Sequence, residues 1–241
     1  MIISYSQNFI FIKTRKTAGT SMEVALATTA RDKDVATPFG TREELARWRT
    51  SPHALARNFS TDNELERAYT EALKKEDKRG MNLAMDAMKH GKKFVLHRHG
   101  GAKGARQAVG EKFWNAAFKF TVERHPYEKV VSFAWYRMQW YQGDFNEAMN
   151  DVFQRENYRN FDLYSIDGKP VVDFLIRYEH LRDDIRTVEE RLGISILEHM
   201  PRANSTQRKD RRPAREILTE VQKEQIYSTC RKEFELVGYE R

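Results

Sequence analysis

The sequence predicts an α/β fold of three layers, in which a central, mostly parallel sheet is flanked by helices. Four short apolar runs, rich in β-branched and aromatic residues, occupy residues 9–12, 94–96, 118–122 and 174–176. Polar loops and helix-like segments separate these runs, and this alternation is typical of an α/β layered fold. Of 241 residues, 40% are hydrophobic and 12% aromatic, which is enough for a buried core. We expect one domain over residues 1–241, with a charged helical insertion at 28–92.

The charge balance favours an anionic partner. The chain has 42 Lys and Arg residues against 35 Asp and Glu residues, a formal net charge of +7. Phosphates, sulfated sugars, nucleic acid and anionic lipid all remain open on this ground. Cys230 is the single cysteine, which excludes a disulfide framework and a multi-cysteine zinc site. Without a signal peptide or a long apolar stretch, we expect a cytoplasmic, bacterial protein with no membrane span.

The first candidate site is the loop of residues 13–21, between the run at 9–12 and a helix-like segment. A turn from a strand into a helix points backbone N–H groups and the positive helix end at one place, which suits a phosphate. Lys16 adds a charge, and Gly19 allows close backbone approach. No glycine precedes Gly19, so the Walker A pattern is absent and an ordinary ATPase or GTPase is disfavoured. A polar connector without a ligand is the alternative.

The second candidate site lies around the run at 118–122. Arg124 follows this strand, Pro126 stands where a helix begins, and Ser132 lies on the second turn of that helix. Arg124 and Ser132 could converge on one anion, with the guanidinium forming a bidentate fork. The alternative is a surface arginine and a helix serine that face nothing.

His97 and His99 form the third candidate site, at the end of the run at 94–96. Residues two apart share one face of a strand, so both imidazoles could face the same crevice. A metal site needs a third ligand, for which His125 is the nearest candidate, and we predict no metal. A general base needs only one histidine near a phosphate site, and a structural histidine is the alternative.

Two further segments stand out without a motif. The loop at 201–213 is basic, yet it lacks the aromatic interleaving typical of nucleic-acid binding, so no nucleic-acid partner is expected. An aromatic group on one predicted helix is read as core packing, with sugar stacking as the alternative. The basic residues are Arg202, Arg208, Lys209, Arg211, Arg212 and Arg215, and the aromatic residues are Trp135, Tyr136, Trp140 and Tyr141.

Three motifs in this order resemble a known family. The segment 16–21 after a strand, the segment 120–132 and the closing Val237-Gly238-Tyr239 look like the sulfotransferases that use 3′-phosphoadenosine-5′-phosphosulfate (PAPS), in their carbohydrate branch and its bacterial relatives. Residues 177–181 and 201–206 also resemble family features near the cofactor. Arg15 stands where the family usually has proline, and Glu123-Arg124-His125 replaces the commoner Val-Arg-Asn.

The resemblance implies a P-loop NTPase-like sulfotransferase fold and roles for single residues. The first loop would bind the 5′-phosphosulfate, and Arg124 and Ser132 the 3′-phosphate. His99, the second histidine of its pair, would be the catalytic base, with His97 as the alternative. Lys16 would offset charge on the leaving phosphate. The loop residues implied in cofactor binding are Arg15, Lys16, Thr17, Ala18, Gly19, Thr20 and Ser21.

The function expected on this basis is sulfuryl transfer from PAPS to an acceptor hydroxyl, by in-line displacement and without a metal. A glycan is the acceptor that the resemblance favours, with the insertion at 28–92 on the acceptor side. A nucleotide-dependent kinase of related fold and a non-enzymatic module that binds anions or nucleic acid are the alternatives.

Overall fold

A computed structural model describes residues 1–201, 208 and 210–241, and its centre is a five-stranded sheet. The strands lie in the order β3-β1-β2-β4-β7. They are β1 (Ile2–Ser4), β2 (Phe9–Ile12), β3 (Val35–Ala36), β4 (Phe118–Glu123) and β7 (Phe174–Arg177). A separate two-stranded ribbon consists of β5 (Ser165–Ile166) and β6 (Lys169–Pro170). The predicted α/β class and the strands at 9–12, 118–122 and 174–176 are confirmed.

The sheet is mixed, where the sequence predicted a mostly parallel one. β2 pairs with β4 and β4 with β7 in parallel, but β1 pairs with both β2 and β3 antiparallel. Residues 5–8 join β1 directly to β2, and such a short turn can only reverse the chain. β1 and β3 are too short to show a hydrophobic pattern, so sequence reasoning missed both.

The prediction of a strand at 94–96 is wrong. Phe94 forms only an isolated bridge with Ser60, and the Val95 N–H donates to the Phe59 carbonyl at 2.9 Å. The Phe94 side chain packs against the helical cluster that contains Phe59 and takes no part in the five-stranded sheet. His97 and His99 therefore lie on a loop and not at the end of a strand.

Helices cover both faces of the sheet and give it three layers. On one face, α1 (Gly19–Thr28) and α8 (Leu181–Leu192) pack against apolar side chains of β2, β4 and β7. On the other face, α5 (Gly101–Ala116) packs through Ala102, Ala105 and Trp114. Gly193 ends α8 in the left-handed region, with φ of 66°, as its sequence pattern predicted.

The remaining helices form two clusters beside the sheet. The first cluster lies mostly within the predicted helical insertion, and the second includes the helix that Pro126 begins. The helices of the first are α2 (Thr41–Thr50), α3 (Asn63–Lys74) and α4 (Lys78–His90). Those of the second are α6 (Pro126–Arg137), α7 (Phe145–Arg155), α9 (Ala214–Ile217), α10 (Glu220–Thr229) and α11 (Arg231–Val237). The single last helix predicted from 217–226 is divided, because a capping box at Thr219 starts α10.

Within residues 1–201, 208 and 210–241, no helix has both the length and the apolar composition needed to cross a membrane.

Candidate functional site

The loop between β2 and α1 leaves the start of the helix open. Lys16 and Ala18 both have left-handed backbones, with φ of 59° and 61°. α1 begins at Gly19, where a Cβ atom would lie 3.1 Å from the Thr14 carbonyl oxygen, so a larger residue would push the loop away by a few tenths of an ångström. No side chain caps α1, and its first turn contains no acidic residue. The first N–H groups of a helix have no intrahelical partner, so those of α1 are available to an anion.

Buried hydroxyl groups fix the first half of this loop to the sheet. The Thr14 hydroxyl donates to the Val122 carbonyl and shares a hydrogen bond of 2.8 Å with the Thr17 hydroxyl. The Thr121 hydroxyl donates to the Ile12 carbonyl at 2.7 Å. Thr17, predicted to contact the cofactor, is fully buried with its hydroxyl used in this way. In the first turn of α1, Thr20 is exposed and Ser21 half-buried.

Asn160 fixes the same part of the loop from the other side, at Arg15, and sequence reasoning missed it. Its side-chain oxygen accepts from the Arg15 N–H, and its amide group donates to the Arg15 carbonyl, each at 3.0 Å. Asn160 is fully buried, and its own N–H donates to Glu233 at 3.0 Å. No sequence motif marks such a residue, because 145 positions separate it from Arg15.

A buried carboxylate joins this support to the end of β4. Glu123 accepts hydrogen bonds from the Arg124 N–H at 2.8 Å and the Tyr164 hydroxyl at 3.1 Å. It also forms an ion pair of 2.8 Å with Lys129 and lies 3.3 Å from the Asn160 amide nitrogen. Glu123 thus connects Arg124 and the first loop in one network.

Two lysines of the loop have opposite environments. Lys13 is buried in an ion pair with Glu23, and its ammonium donates to the Thr20 hydroxyl at 3.3 Å. Lys16 has no carboxylate within ion-pair distance in the described part of the chain, and its Nζ lies 4.5 Å from the Tyr136 ring centroid. Burial and, next, the nearby Arg124 lower the pKa of Lys16 to about 8. Lys16 is therefore a largely protonated cation without a counter-charge at pH 7.

Arg124 faces the same loop from the end of β4. Its Nη1 donates to the Lys16 carbonyl at 3.4 Å, and its guanidinium lies 4.3 Å from the Tyr178 ring centroid. Its Nη2 lies 3.3 Å from a carboxylate oxygen of Glu128. The Arg124 Nε is buried and finds no hydrogen-bond partner among the described residues. The structure thus brings Lys16 and Arg124 to one edge of the sheet.

α6 presents Glu128 and Ser132 on one face, since they lie one turn apart. Glu128 accepts from Arg208 Nη1 at 2.6 Å and from the Ala214 N–H at 2.8 Å. It thereby connects Arg124 to the basic loop that the sequence singled out. Ser132 is half-buried. Arg202 and Lys209, with most of the family-like segment 201–206, lie outside the described residues, while Arg212 pairs with Asp210.

His99 lies close to the loop, even though no strand carries it. Its Nδ1 is buried and has no hydrogen-bond partner in the described part of the structure. Burial, followed by the positive charges of Lys13, Arg15 and Arg98, lowers the pKa of His99 to about 3. The imidazole is therefore neutral at pH 7.

The other two histidines have different surroundings. His97 is exposed and packs against Phe94 at 4.8 Å between ring centroids. His125 caps α6, because its Nδ1 accepts from the Tyr127 N–H at 3.2 Å. Its Nε2 lies 2.9 Å from the Glu240 carbonyl oxygen. Both ring nitrogens of His125 are thus used in structural contacts.

The sequence predicted that an aromatic group on one helix packs in the core, and this prediction is wrong for Trp140. The group is Trp135, Tyr136, Trp140 and Tyr141. α6 ends at Arg137, and residues 138–140 form a separate 3-10 turn. Trp140 is 54% exposed there. The helical hydrophobic pattern continued past the real end of α6, which is why sequence reasoning placed Trp140 in the core.

Together these residues form a cationic edge suited to phosphate or sulfate groups. The open end of α1 offers N–H donors, Lys16 and Arg124 offer positive charge, and His99 offers a neutral imidazole. Charge-assisted hydrogen bonds of this kind are the strong ones in proteins. The arrangement can bind a polyanion and can place a proton acceptor beside it.

Comparisons with known proteins give one match to report. The chain is 32% identical over 97 residues to a protein of Archaeoglobus fulgidus described as an uncharacterized protein, and the match spans 37% of this chain and 78% of the relative. No protein-family model matches the chain, and no solved structure matches it. Over the part that the match covers, the chain belongs to the same protein family as the Archaeoglobus fulgidus protein.

Proposed function

We propose that the protein is a sulfotransferase that moves a sulfuryl group from PAPS to a hydroxyl group of an acceptor. One observation carries the proposal: the Arg124 guanidinium contacts the Lys16 carbonyl in the same loop that leads into the uncapped start of α1. PAPS carries a 5′-phosphosulfate and a 3′-phosphate on one ribose, so it needs two cationic contacts that are a single sugar ring apart. The cytoplasmic location and the P-loop NTPase-like sulfotransferase fold are parts of the same proposal.

The residues present fit such a ligand. The Arg124 Nε and the His99 Nδ1 are buried polar atoms without a hydrogen-bond partner in the described structure, and buried donors are usually satisfied. Lys16 is a cation with its pKa lowered by burial, and an anion beside it would remove that cost. These three unsatisfied groups surround one loop, which supports a bound anion there.

Each residue then has a definite task. The N–H groups at the start of α1, the Ser21 hydroxyl and Lys16 bind the 5′ end, and Lys16 offsets the charge that grows on the leaving phosphate oxygen. Arg124 and Ser132 bind the 3′-phosphate and so select PAPS over nucleotides that lack it. Asn160 acts through Arg15 and keeps the loop in its binding shape.

His99 accepts the proton of the acceptor hydroxyl. In the reaction, the bond from sulfur to the phosphate oxygen breaks as the acceptor oxygen bonds to sulfur, and adenosine 3′,5′-bisphosphate leaves. The low pKa of His99 in the free protein comes from burial and, next, from nearby cations, so an anion beside those cations raises the pKa by offsetting their charge. We infer that the base becomes effective when the donor binds.

Transfer of radiolabelled sulfate from PAPS to a panel of glycans and small alcohols tests the proposal. We expect label in an acceptor, and we expect Lys16→Ala and His99→Ala each to lower turnover by about 10²-fold or more. His97→Ala is the matched control and should keep turnover, because His97 is exposed and packs on Phe94.

Two results would contradict the proposal. Hydrolysis of ATP or phosphate transfer from it, with no transfer from PAPS, would identify a nucleotide-dependent kinase instead. Binding of adenosine 3′,5′-bisphosphate or DNA without turnover of any acceptor would leave a module that only binds anions.

A further inference from the structure

Tyr136, on the last turn of α6, gives Lys16 an uncharged neighbour. The Lys16 Nζ lies over two aromatic rings, 4.5 Å from the Tyr136 ring centroid and 5.8 Å from that of Phe133. Within about 6 Å, the negative face of an aromatic ring attracts a cation. Lys16 and Tyr136 are both half-buried, so water screens this attraction only in part. The ammonium is thus held from the side of α6.

Helical spacing explains why this ring reaches the loop of residues 13–21. Glu128, Ser132 and Tyr136 follow one another at intervals of four residues and therefore share one face of α6. Glu128 contacts Arg124 on this face, and Tyr136 contacts Lys16 two turns further along. One face of α6 thus offers a carboxylate to one cation of the site and an aromatic ring to the other.

Two other lysines pair with carboxylates instead. Lys13 pairs with the buried Glu23, and Lys129 pairs with the buried Glu123 at 2.8 Å. A close carboxylate would compete with a bound phosphate for the ammonium, because both accept charge-assisted hydrogen bonds. A ring attracts the ammonium without cancelling its charge. The position of Lys16 is therefore restrained while its charge stays available to a ligand.

Trp140 packs against the Tyr136 ring although it is 54% exposed. The two rings meet edge to face, with 5.1 Å between their centroids. The Arg137 guanidinium lies 5.4 Å from the Trp140 ring centroid and forms an ion pair of 2.8 Å with Asp151. These contacts restrict the movement of Trp140 and, through it, that of Tyr136. The exposed indole thus supports the ring that contacts Lys16.

We propose that Tyr136 is a positioning residue, whose ring holds the Lys16 ammonium in the loop that leads into α1 and leaves its charge free for the donor nucleotide. The inference rests on the proposed function, since the nucleotide is the anion for which Lys16 is held. A flexible side chain that becomes ordered on binding costs affinity, and a side chain already in place avoids that cost.

Calorimetry with adenosine 3′,5′-bisphosphate at pH 7 tests this role with two variants of the full chain. Tyr136→Met removes the ring but keeps an apolar side chain, and Tyr136→Phe keeps the ring but removes the hydroxyl. We expect the methionine variant to bind about threefold to tenfold more weakly, because its Lys16 must be ordered on binding. The phenylalanine variant should bind as the wild type does. Trp140→Ala should show a smaller loss in the same direction.

The titration of Lys16 separates this role from a merely structural one. Arg124 is the charged group that acts on Lys16, and it stays in place in both variants. So do the charged groups that act on the Tyr136 hydroxyl, which are Arg42, Glu43, Arg98 and Arg137. The ring favours the protonated amine, so its loss should lower the pKa of Lys16 below its wild-type value of about 8.

NMR of the full chain with isotope-labelled lysine measures this pKa without any nucleotide, and Lys16→Met assigns the signal. We expect a lower pKa of Lys16 in Tyr136→Met and an unchanged one in Tyr136→Phe. Tyr227→Met is the matched control, because Tyr227 also lies against a cation, with its ring centroid 3.8 Å from the Arg241 guanidinium. It should change neither the affinity nor the Lys16 titration. Thermal denaturation checks that each variant folds.

The possible results are distinct. Wild-type affinity with an unchanged Lys16 titration in Tyr136→Met would overturn the inference, and so would equal losses in Tyr136→Met and Tyr136→Phe. If Tyr136→Met did not fold, wild-type affinity and titration in Trp140→Ala would overturn it. If the wild-type chain bound no adenosine 3′,5′-bisphosphate, the proposed function itself would fail, while the Lys16 titration would still decide whether the ring holds the ammonium.

Discussion

The two junctions where a parallel strand leads into a helix, β2 to α1 and β4 to α6, satisfy their helix ends in opposite ways. α6 is closed: the His125 side chain accepts from the Tyr127 N–H, Pro126 fills the first position, and Glu128 adds a negative charge in the first turn. α1 has no side-chain cap and no acidic residue in its first turn. Both follow buried strands of the same sheet, so sheet position alone does not explain the difference.

The two junctions have different roles: the one from β2 to α1 offers donors to an anion, and the one from β4 to α6 supports it. A capped helix end has fewer free donors for a ligand, whereas an uncapped one keeps its first N–H groups and the positive end of the helix dipole. The closed junction contributes Arg124, whose guanidinium reaches across to the Lys16 carbonyl of the open one. The anion site is therefore an open helix end with a cation supplied by its closed neighbour.

The largest expected effect comes from the two lysines of the open junction. Lys16→Met should abolish stabilisation by adenosine 3′,5′-bisphosphate and lower PAPS turnover about 10²-fold to 10³-fold, while Tm stays the same or rises because an unpaired buried cation is lost. Lys13→Met should instead lower stability by about 1–3 kcal/mol, since it removes one of the two cations paired with buried Glu23. Thermal denaturation with and without the nucleotide checks both. A loss of Tm in Lys16→Met would show that Lys16 is structural.

A variant of Arg124 tests the contrast between the junctions through nucleotide affinity rather than through protein stability. Arg124→Ala should weaken binding of adenosine 3′,5′-bisphosphate by about 10-fold to 100-fold, the effect of losing hydrogen bonds to a charged group, but should leave adenosine 5′-phosphate nearly unaffected. Arg191→Ala is the control, because Arg191 lies against Phe118 at the amino end of β4. Equal losses for the two nucleotides would contradict the assignment of Arg124 to the 3′-phosphate.

Asn160 should act through the shape of the open loop. Asn160→Leu leaves the Arg15 N–H and carbonyl without their partner, and we expect nucleotide affinity to fall about tenfold, with a stability loss of about 1–3 kcal/mol. Tyr164→Phe removes a hydroxyl from the same buried network but leaves Asn160 in place. It should lower stability without changing affinity. Parallel calorimetry and denaturation measure the two effects, and equal affinity losses would mean that the loop has no special dependence on Asn160.

The pH dependence of nucleotide binding reports on Lys16. Its pKa is about 8 in the free protein, and a bound anion raises it, so the protonated form binds more tightly. Affinity for adenosine 3′,5′-bisphosphate should be steady just below pH 8 and fall by up to about tenfold per pH unit above it. The Lys16→Met variant should show no such fall. A flat profile in the wild-type chain would mean that Lys16 does not contact the nucleotide.

The smallest effect is expected at the closed junction. His125→Ala removes the cap of α6 and should cost about 1 kcal/mol of stability, with nucleotide affinity unchanged. Chemical denaturation and calorimetry together check this. A large loss of affinity without a loss of stability would place His125 in the binding site and weaken the contrast between the two junctions.

Short sequence patterns predicted the two strand-to-helix junctions. They did not predict the distant residues that hold these junctions in place. The run at 9–12 before a polar loop and Pro126 after β4 are patterns within a few residues, and both elements are confirmed. Asn160 and Glu233 act over many positions, so no local pattern marks them. β1 and β3 are two or three residues long, and Phe94 looked like a strand residue because packing between helices selects the same apolar side chains.

A crystal structure of the chain soaked with adenosine 3′,5′-bisphosphate tests the central claim most directly. The account predicts the 5′-phosphate at the first N–H groups of α1 with Lys16, and the 3′-phosphate within hydrogen-bond distance of Arg124 and Ser132. A nucleotide bound elsewhere, or bound with Lys16 and Arg124 both out of contact with its phosphates, would contradict it.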